Sequence, residues 1–180
     1  FDHRSRPFYK SADSMDLNAI SRDMYTEFIC MKFREKSRTI PNEVAEKVYD
    51  MFEGHTYYVQ KTMNEAFSNT AVGEECGAET VTYSLQAILD SNNSLYKEIL
   101  SKITLRQKTL LYAIAQDRWA SQITSAAFIK RHKLASASSV QSAIKKLLEE
   151  ELVVEEGKRY RVSDRFFALW IKRTILACEA

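Results

Sequence analysis

The sequence is poor in glycine and proline and contains no long apolar run. Among its 180 residues there are 4 Gly and 2 Pro. Because these two residues mark the turns of sandwiches and barrels, their scarcity argues against such folds and favours a mainly helical chain. No stretch approaches the length of apolar residues needed to cross a bilayer, and no signal peptide is present. We therefore expect a cytoplasmic protein without a membrane partner.

The sequence also lacks the residue groupings of a self-contained enzyme. It has no glycine-rich phosphate loop, no nucleophile elbow and no His, Cys and Glu grouping at metal-ligand spacing. The three cysteines are odd in number and far apart, which is typical of reduced intracellular thiols: Cys30, Cys76 and Cys178. We expect that this chain holds no cofactor or metal and carries no catalytic residue of its own.

The net charge of +2 conceals an uneven distribution along the chain. Residues 101–180 hold 15 Lys and Arg against 8 Asp and Glu, or +7, whereas residues 1–100 hold 11 against 16, or −5. A basic half beside an acidic half indicates either two domains with different partners or two solvated faces of opposite sign. Charge alone does not distinguish these two interpretations.

One stretch, from Ile123 to Phe167, has the pattern of a winged helix-turn-helix. Its apolar residues recur at helical spacing in two consecutive segments, and Ser136 stands at the N-cap position of the second. Two β-type runs, Leu152–Val154 and Tyr160–Val162, then flank a turn that contains a glycine. The order predicts helix, turn, helix and a two-stranded wing, a fold that often places its second helix in the major groove of DNA.

Helical periodicity also covers most of the chain before this stretch. It predicts that Met24, Phe28 and Met31, together with Ile29, form the inner face of the first helix, and that the polar loop Ser68–Ala78 is disordered. The predicted fold class is mainly α: a helical lid-like bundle followed by a winged helix-turn-helix domain. The predicted helices cover residues 22–35, 41–52, 55–67, 80–91, 94–102 and 105–116, followed by a last helix capped by Asp164. Gly54 is the predicted glycine at the end of the second helix, and Thr104 is the predicted cap of the sixth.

The second helix of the motif and the wing carry side chains that suit DNA. Small hydroxyls and an amide can approach base edges, while lysines and arginines neutralise phosphates. Winged helices also serve as protein–protein modules, and this alternative stays open. The candidate DNA-binding residues are Ser138, Ser139, Gln141, Ser142, Lys145 and Lys146 on the helix, with Lys158, Arg159 and Arg161 on the wing. Because side chains alternate along a strand, Arg159 and Arg161 are predicted to share a face of the ribbon.

Four stretches resemble the C-terminal part of the archaeal-type ATPases, P-loop proteins related to the AAA+ and STAND groups. They are Ser5–Tyr9, Gly54–Gln60, the Ser136–Leu148 helix and Asp164–Trp170. The resemblance implies a segment leading out of an absent ATPase core at 1–16, a helical lid at 17–102 and a winged helix at 103–180. It further implies that the parent protein binds ATP and Mg in that upstream core, which would be a partner of this chain.

The resemblance also implies candidate nucleotide-sensing residues. In the family, a turn of the lid faces the bound nucleotide, and Gly54 and His55 occupy that turn here. Arg4 and Arg6 lie where related ATPases carry an arginine leading out of the core, and an arginine there is able to meet a γ-phosphate. The alternatives are a helix-start role for His55 and surface ion pairs for the arginines.

The function predicted from these features is regulatory. The chain would be the C-terminal region of a P-loop ATPase, whose winged helix binds duplex DNA under the control of nucleotide in the absent core. The alternatives are a winged helix that binds a protein partner or a second copy of the chain, and a free-standing transcription regulator.

Overall fold

The computed structural model describes residues 20–178, which are mainly helical with one small sheet. Four helices form an N-terminal bundle, and the remaining elements form a C-terminal region that ends in one π-helical and one 3₁₀ turn, Ile171–Ile175 and Leu176–Cys178. The bundle comprises α1 (Arg22–Arg34), α2 (Asn42–Met51), α3 (Thr56–Ser68) and α4 (Ala78–Ser91). The C-terminal region comprises α5 (Asn93–Ser101), α6 (Leu105–Asp117), β1 (Ala120–Ser121), α7 (Ala126–Arg131), α8 (Ala137–Glu149), β2 (Val153–Glu156), β3 (Arg159–Val162) and α9 (Arg165–Trp170).

Helix α1 buries a different face from the one predicted. Met24, Phe28 and Met31 are 67%, 44% and 43% exposed, so the prediction that they point inward was wrong. Ile29 is 5% exposed, as predicted, and it is joined by Tyr25 and Phe33, which are 3% and 2% exposed, within a core that α2 and α3 complete. Both the exposed and the buried residues recur at helical spacing, so periodicity alone does not distinguish the two faces. The ring of Tyr25 packs against that of Tyr49 in α2, at 5.8 Å between centroids, and this contact lies on the buried face.

The loop between α3 and α4 is ordered, contrary to the prediction of disorder. Its Cys76 is fully buried, and the Cys76 N–H donates to the carbonyl of Thr39 at 2.8 Å. Arg38 donates from Nε to the carbonyl of Thr70 at 2.6 Å and lies over the ring of Phe67. These contacts join the loop to the segment between α1 and α2, and long-range bonds of this kind leave no local sequence pattern.

The C-terminal region has the predicted winged helix-turn-helix architecture, and its helix starts carry the predicted caps. Ser136 Oγ accepts from the N–H of Ser139 at the start of α8, and Thr104 forms a capping box with Gln107 at the start of α6. Asp164 accepts from two backbone N–H groups at the start of α9. Each cap satisfies donors that a helix start leaves unpaired, which is why these residue types predicted the starts correctly.

The sheet has three strands rather than the two predicted. The short strand β1 pairs with β3 in the antiparallel order β1-β3-β2, with Ala120 opposite Tyr160. Strands β2 and β3 form the wing, with Val153 opposite Val162. Because β1 has two residues, it shows no alternation in the sequence and is defined only by its pairing.

Aromatic side chains join the N-terminal bundle to the C-terminal region. The ring of Phe166 in α9 lies 5.4 Å from that of Phe52 and 5.0 Å from that of Tyr58, centroid to centroid. The Tyr58 hydroxyl also donates to the carbonyl of Ser163 at 3.4 Å. Phe52, Tyr58 and Phe166 are all buried. This contact between Phe52, Tyr58 and Phe166, here called the joint, brings the turn after α2 beside α9 and the wing.

Two predicted residues, Arg4 and Arg6, lie outside the described residues. Within residues 20–178, no helix combines the length and the apolar character that a bilayer crossing requires.

Candidate nucleic-acid interface

Helix α8 turns its polar face to solvent. Val140, Ile144 and Leu147 are buried against the rest of the C-terminal region. The predicted DNA-contacting side chains lie on the other side of the helix, where Ser139 is half-buried and the others are exposed: Ser138, Gln141, Ser142, Lys145 and Lys146. Lys145 makes no hydrogen bond or ion pair within the part of the chain that the structure describes. The N-terminal half of α8 therefore offers hydroxyl and amide groups, followed by two cations.

A polar groove runs along the start of α8 and includes a cation that sequence reasoning missed. The groove has a volume of about 380 Å³ and lies between α8 and the start of α6. Arg106 lines it opposite Ser138 and Lys146. No sequence pattern around Arg106 indicates this position, because only the packing of α6 against α8 brings Arg106 beside the predicted residues. Lys146 is paired with Glu149, and this bond raises the pKa of the ammonium group.

The wing carries two available cations instead of three. Lys158 and Arg159 are exposed, and the guanidinium of Arg159 lies 4.9 Å from the Trp119 ring centroid. Arg161 lies on the same ring at 4.4 Å, so the two arginines share a face of the ribbon as predicted. The side chain of Arg161, however, is 20% exposed and bonded to carboxylates, which makes it unavailable to a DNA phosphate in this conformation.

Arg161 is held by a carboxylate of the N-terminal bundle. Glu53 Oε2 accepts from Arg161 Nη1 at 3.1 Å and lies 3.4 Å from Arg165 Nη2. Glu53 Oε1 lies 3.1 Å from Arg118 Nε and accepts from Trp119 Nε1 at 3.2 Å. One carboxylate thus binds three guanidinium groups and one indole, and it connects the turn after α2 to the wing and α9.

The predicted nucleotide-facing turn lies next to this ion cluster. Gly54 has φ +69°, and its N–H donates to the carbonyl of Tyr49 at 2.9 Å, which confirms its predicted role as the glycine that ends α2. His55 begins α3 without a side-chain cap bond, and its ring lies 4.8 Å from that of Tyr58. Burial lowers the pKa of His55, and the positive charges of Arg165 and Arg161 lower it further. His55 is therefore expected to be neutral at physiological pH.

The exposure of three aromatic rings helps to decide whether this domain offers a DNA-binding or a protein-binding surface, because exposed rings favour protein contacts. Trp170 is 2% exposed, and its Nε1 donates to Asn93 at 3.2 Å. Trp119 is half-buried beneath two arginines, and Tyr160 is half-buried with its hydroxyl donating to Glu155 at 3.0 Å. The winged helix thus leaves none of these three rings uncovered. Among the described residues, no group of three His, Cys, Asp or Glu side chains is placed to hold a metal ion.

Comparison with known proteins agrees with this architecture. Residues 94–173 match a family model described as "Probable winged helix domain". Among solved structures, the chain is similar to a Walker-type ATPase of Pyrococcus abyssi, with a TM-score of 0.61 and 16% sequence identity. The match covers 95% of this chain and 47% of that chain, so this chain spans about half the length of the archaeal protein. No curated protein matches the sequence significantly.

At 16% identity the similarity establishes a fold, and it confirms the part of the predicted resemblance that concerns the fold. It extends over the N-terminal bundle as well as the winged helix, because it covers nearly the whole chain. Residues 94–173 form a winged-helix domain, and the chain as a whole has the fold of the C-terminal part of an archaeal Walker-type ATPase.

Proposed function

We propose that this chain is the regulatory C-terminal region of a P-loop ATPase and that its winged helix binds duplex DNA. The observation that carries the proposal is the contrast between two surfaces of the domain. The α8 face and its groove are open, rich in hydroxyls and lined by Arg106 and Lys146, whereas the aromatic rings of the domain are covered. An open basic groove suits phosphates, and a protein-binding surface would instead leave aromatic anchors exposed.

The side chains of this surface fit the two kinds of contact that DNA offers. Ser138, Gln141 and Ser142 follow one another along the exposed side of α8 and are short enough to approach base edges. Lys145 on the same helix and Lys158 on the wing are free to meet phosphates, which fix the orientation of a protein on the duplex. The acidic run Glu149–Glu151 at the other end of α8 favours an approach of DNA through the first turns of the helix.

The regulatory part of the proposal concerns the parent protein. A Walker-type ATPase binds nucleotide in a core that this chain does not contain, and ATP and Mg are expected there, with no catalytic residue contributed from residues 20–178. The turn at Gly54 and His55 adjoins Glu53, which holds Arg161 of the wing. A nucleotide that shifts this turn would therefore shift the contact between the N-terminal bundle and the wing. This coupling requires two conformations whose balance the nucleotide changes.

The DNA proposal predicts the effect of removing four exposed cations from α8 and the wing. Replacing Lys145, Lys146, Lys158 and Arg159 with alanine should weaken binding to random duplex DNA and flatten its salt dependence. Each phosphate contact contributes about 0.9 to the slope of log K against log salt, so the loss of four should make the slope shallower by about 3.6. Fluorescence anisotropy at several salt concentrations measures this slope.

A charge-matched variant separates a specific surface from general attraction. Arg34, Lys36, Lys47 and Lys61 are exposed on the N-terminal bundle, and their replacement with alanine removes the same charge. We expect the slope of this control to stay close to that of the unmodified chain. Equal slopes for both variants, or no DNA binding by the unmodified chain at low salt, would contradict the assignment of α8 and the wing.

A second prediction concerns Glu53, which keeps Arg161 away from DNA. The change Glu53→Gln removes the closer of the two carboxylate charges that hold the guanidinium, at 3.1 Å against 3.4 Å for Glu156, while preserving the size of the side chain. Arg161 should then reach a phosphate, and the salt slope should become steeper by about 0.9. The same anisotropy titration reports this change, and the affinity for DNA should rise.

The control for this variant is Glu43→Gln, which makes the same change in net charge at an exposed position at the start of α2. An equal rise in affinity for both variants would mean that net charge, and not the release of Arg161, is responsible.

Protein binding is a second candidate function, and exposed apolar side chains of the N-terminal bundle favour it. Met24, Phe28 and Met31 are exposed on α1, as is Ile20 just before it, and exposed apolar side chains grouped in this way are a common feature of protein contacts. The upstream core, another protein or a second copy of the chain would suit such a surface.

A further inference from the structure

A small cavity lies beside the joint, where the N-terminal bundle meets the wing and α9. Its volume is about 210 Å³. Its lining includes the aromatic and apolar side chains of Phe52, Trp119 and Leu169. Four cations line its polar side together with the single carboxylate of Glu53: Arg118, Arg161, Arg165 and Lys172.

Positive charge exceeds negative charge around this cavity. Glu53 shares its two oxygens among Arg118, Arg161 and Arg165, and Glu156 reaches only Arg161, at 3.4 Å. Four cations thus face the carboxylates of Glu53 and Glu156, of which only Glu53 lines the cavity; Asp117, which is paired with Arg131, offsets part of the charge at Lys172. Like charges held close together in a partly buried place repel one another, so the arrangement is stabilised by an added anion.

Two of the cations lack hydrogen-bond acceptors in the part of the chain that the structure describes. The Arg165 side chain is 15% exposed, yet its guanidinium donates no hydrogen bond there: its partners are Glu53, in an ion pair at 3.4 Å, and the Tyr58 ring, 5.8 Å from centroid to guanidinium. Lys172 is half-buried and makes neither a hydrogen bond nor an ion pair within residues 20–178. Burial lowers the pKa of both groups, and the neighbouring arginines lower it further: Arg161 for Arg165, and Arg118 for Lys172. Because a charged group with little access to water needs hydrogen-bond acceptors, a ligand that supplies acceptors would stabilise both Arg165 and Lys172.

The size and chemistry of the cavity select the ligand class. A volume of about 210 Å³ is below the usual range of about 300–1,000 Å³ for drug-sized ligands. It is nevertheless several times the ~30 Å³ that one water molecule occupies. Guanidinium groups match the oxygens of a phosphate in paired hydrogen bonds, and a phosphate brings more negative charge and more acceptor oxygens than a carboxylate. The space therefore suits a phosphate or diphosphate group, with any larger part of the molecule left outside.

We propose that the cavity lined by Arg118, Arg161, Arg165 and Lys172 is a binding site for a phosphate-bearing small molecule. The site lies between the bundle and the wing, so its ligand stabilises this relative arrangement of the two. The inference does not depend on DNA binding, because neither Arg165 nor Lys172 belongs to the α8 face.

Pyrophosphate is the probe for the first experiment. Isothermal titration calorimetry of the whole chain, at constant ionic strength, should show binding of one pyrophosphate, and thermal unfolding should shift upward as the ligand concentration rises. The variants Lys172→Gln and Arg165→Gln should each weaken this binding at least tenfold. Without ligand, Lys172→Gln should unfold no earlier than the unmodified chain, since it removes a charge that has no ion-pair partner.

The matched control is Lys145→Gln, an exposed lysine of α8 that does not line the cavity. Its affinity for pyrophosphate should equal that of the unmodified chain. Titrations with ADP and with adenosine identify the group that is recognised: binding of ADP without binding of adenosine supports the phosphate site. The proposal is overturned if 10 mM pyrophosphate produces no heat and no thermal shift, if Lys145→Gln weakens binding as much as Lys172→Gln, or if adenosine binds as well as ADP.

Discussion

Replacing Trp170 with alanine should lower the free energy of unfolding by about 3–5 kcal/mol, the range found for large aromatic side chains removed from a core. Trp170 is 2% exposed, and its ring centroid lies 5.5 Å from that of Tyr96 and 6.1 Å from that of Phe167. Its Nε1 donates to Asn93 Oδ1 at 3.2 Å, which fixes α9 against the start of α5. The truncation would leave a cavity among these rings and an amide oxygen without its donor.

Urea denaturation followed by circular dichroism measures the loss. Tyr83→Ala is the control, because Tyr83 is an aromatic residue of α4 that is 67% exposed, and it should change the stability by no more than about 0.5 kcal/mol. Since α9 carries Arg165, the Trp170 variant should also weaken pyrophosphate binding. A loss of less than about 1 kcal/mol for Trp170→Ala would show that α9 is held mainly by other contacts.

The features that the sequence predicted well are those with local causes. Ser136, Thr104 and Asp164 cap their helices through bonds to residues two or three positions away, so their spacing alone indicated three helix starts. Gly54 is similar, since a helix that ends in the left-handed region favours glycine. Together these caps and the wing pattern were sufficient to predict a winged helix-turn-helix.

The errors in the predicted fold concern contacts between distant parts of the chain. Helix α1 has apolar residues on two sides, and packing with α2 chooses Tyr25 and Ile29 over Met24 and Phe28. Cys76 anchors the loop before α4 through a bond to Thr39, which lies 37 residues earlier, and β1 exists only because Tyr160 pairs with Ala120. Periodicity and composition describe one segment at a time, so they do not predict which distant segments pack or pair with one another.

The same limit applies to the candidate site. The alternation of the ribbon correctly placed Arg159 and Arg161 on one face, but Glu53, which binds Arg161, is 108 residues away. Arg106 joins the α8 groove only through the packing of α6. The sequence therefore identified cations that suit DNA, and the tertiary structure determined which of them are available. The cavity at the joint was missed for this reason, because its cations come from four places: the residue after α6, strand β3, helix α9 and the turn after α9.

Replacing Gly54 with alanine should lower the free energy of unfolding by about 2–4 kcal/mol, because two costs add: a left-handed backbone and an overpacked neighbour. Gly54 has φ +69°, and a Cβ atom there would lie 2.5 Å from ring atoms of Tyr49. That ring cannot move freely, since its hydroxyl donates to the carbonyl of Ile20 at 2.6 Å and it packs against the ring of Tyr25.

The variant Gly73→Ala separates the two costs. Gly73 has φ +88° with open space around its Cβ position, so this variant should lose only about 1 kcal/mol of unfolding free energy. Denaturation of both variants measures the difference, and equal losses would show that Tyr49 yields to the added methyl group. Because Gly54 lies next to Glu53, a Gly54 variant that is still folded should also bind DNA with a steeper salt slope if displacement of the turn releases Arg161.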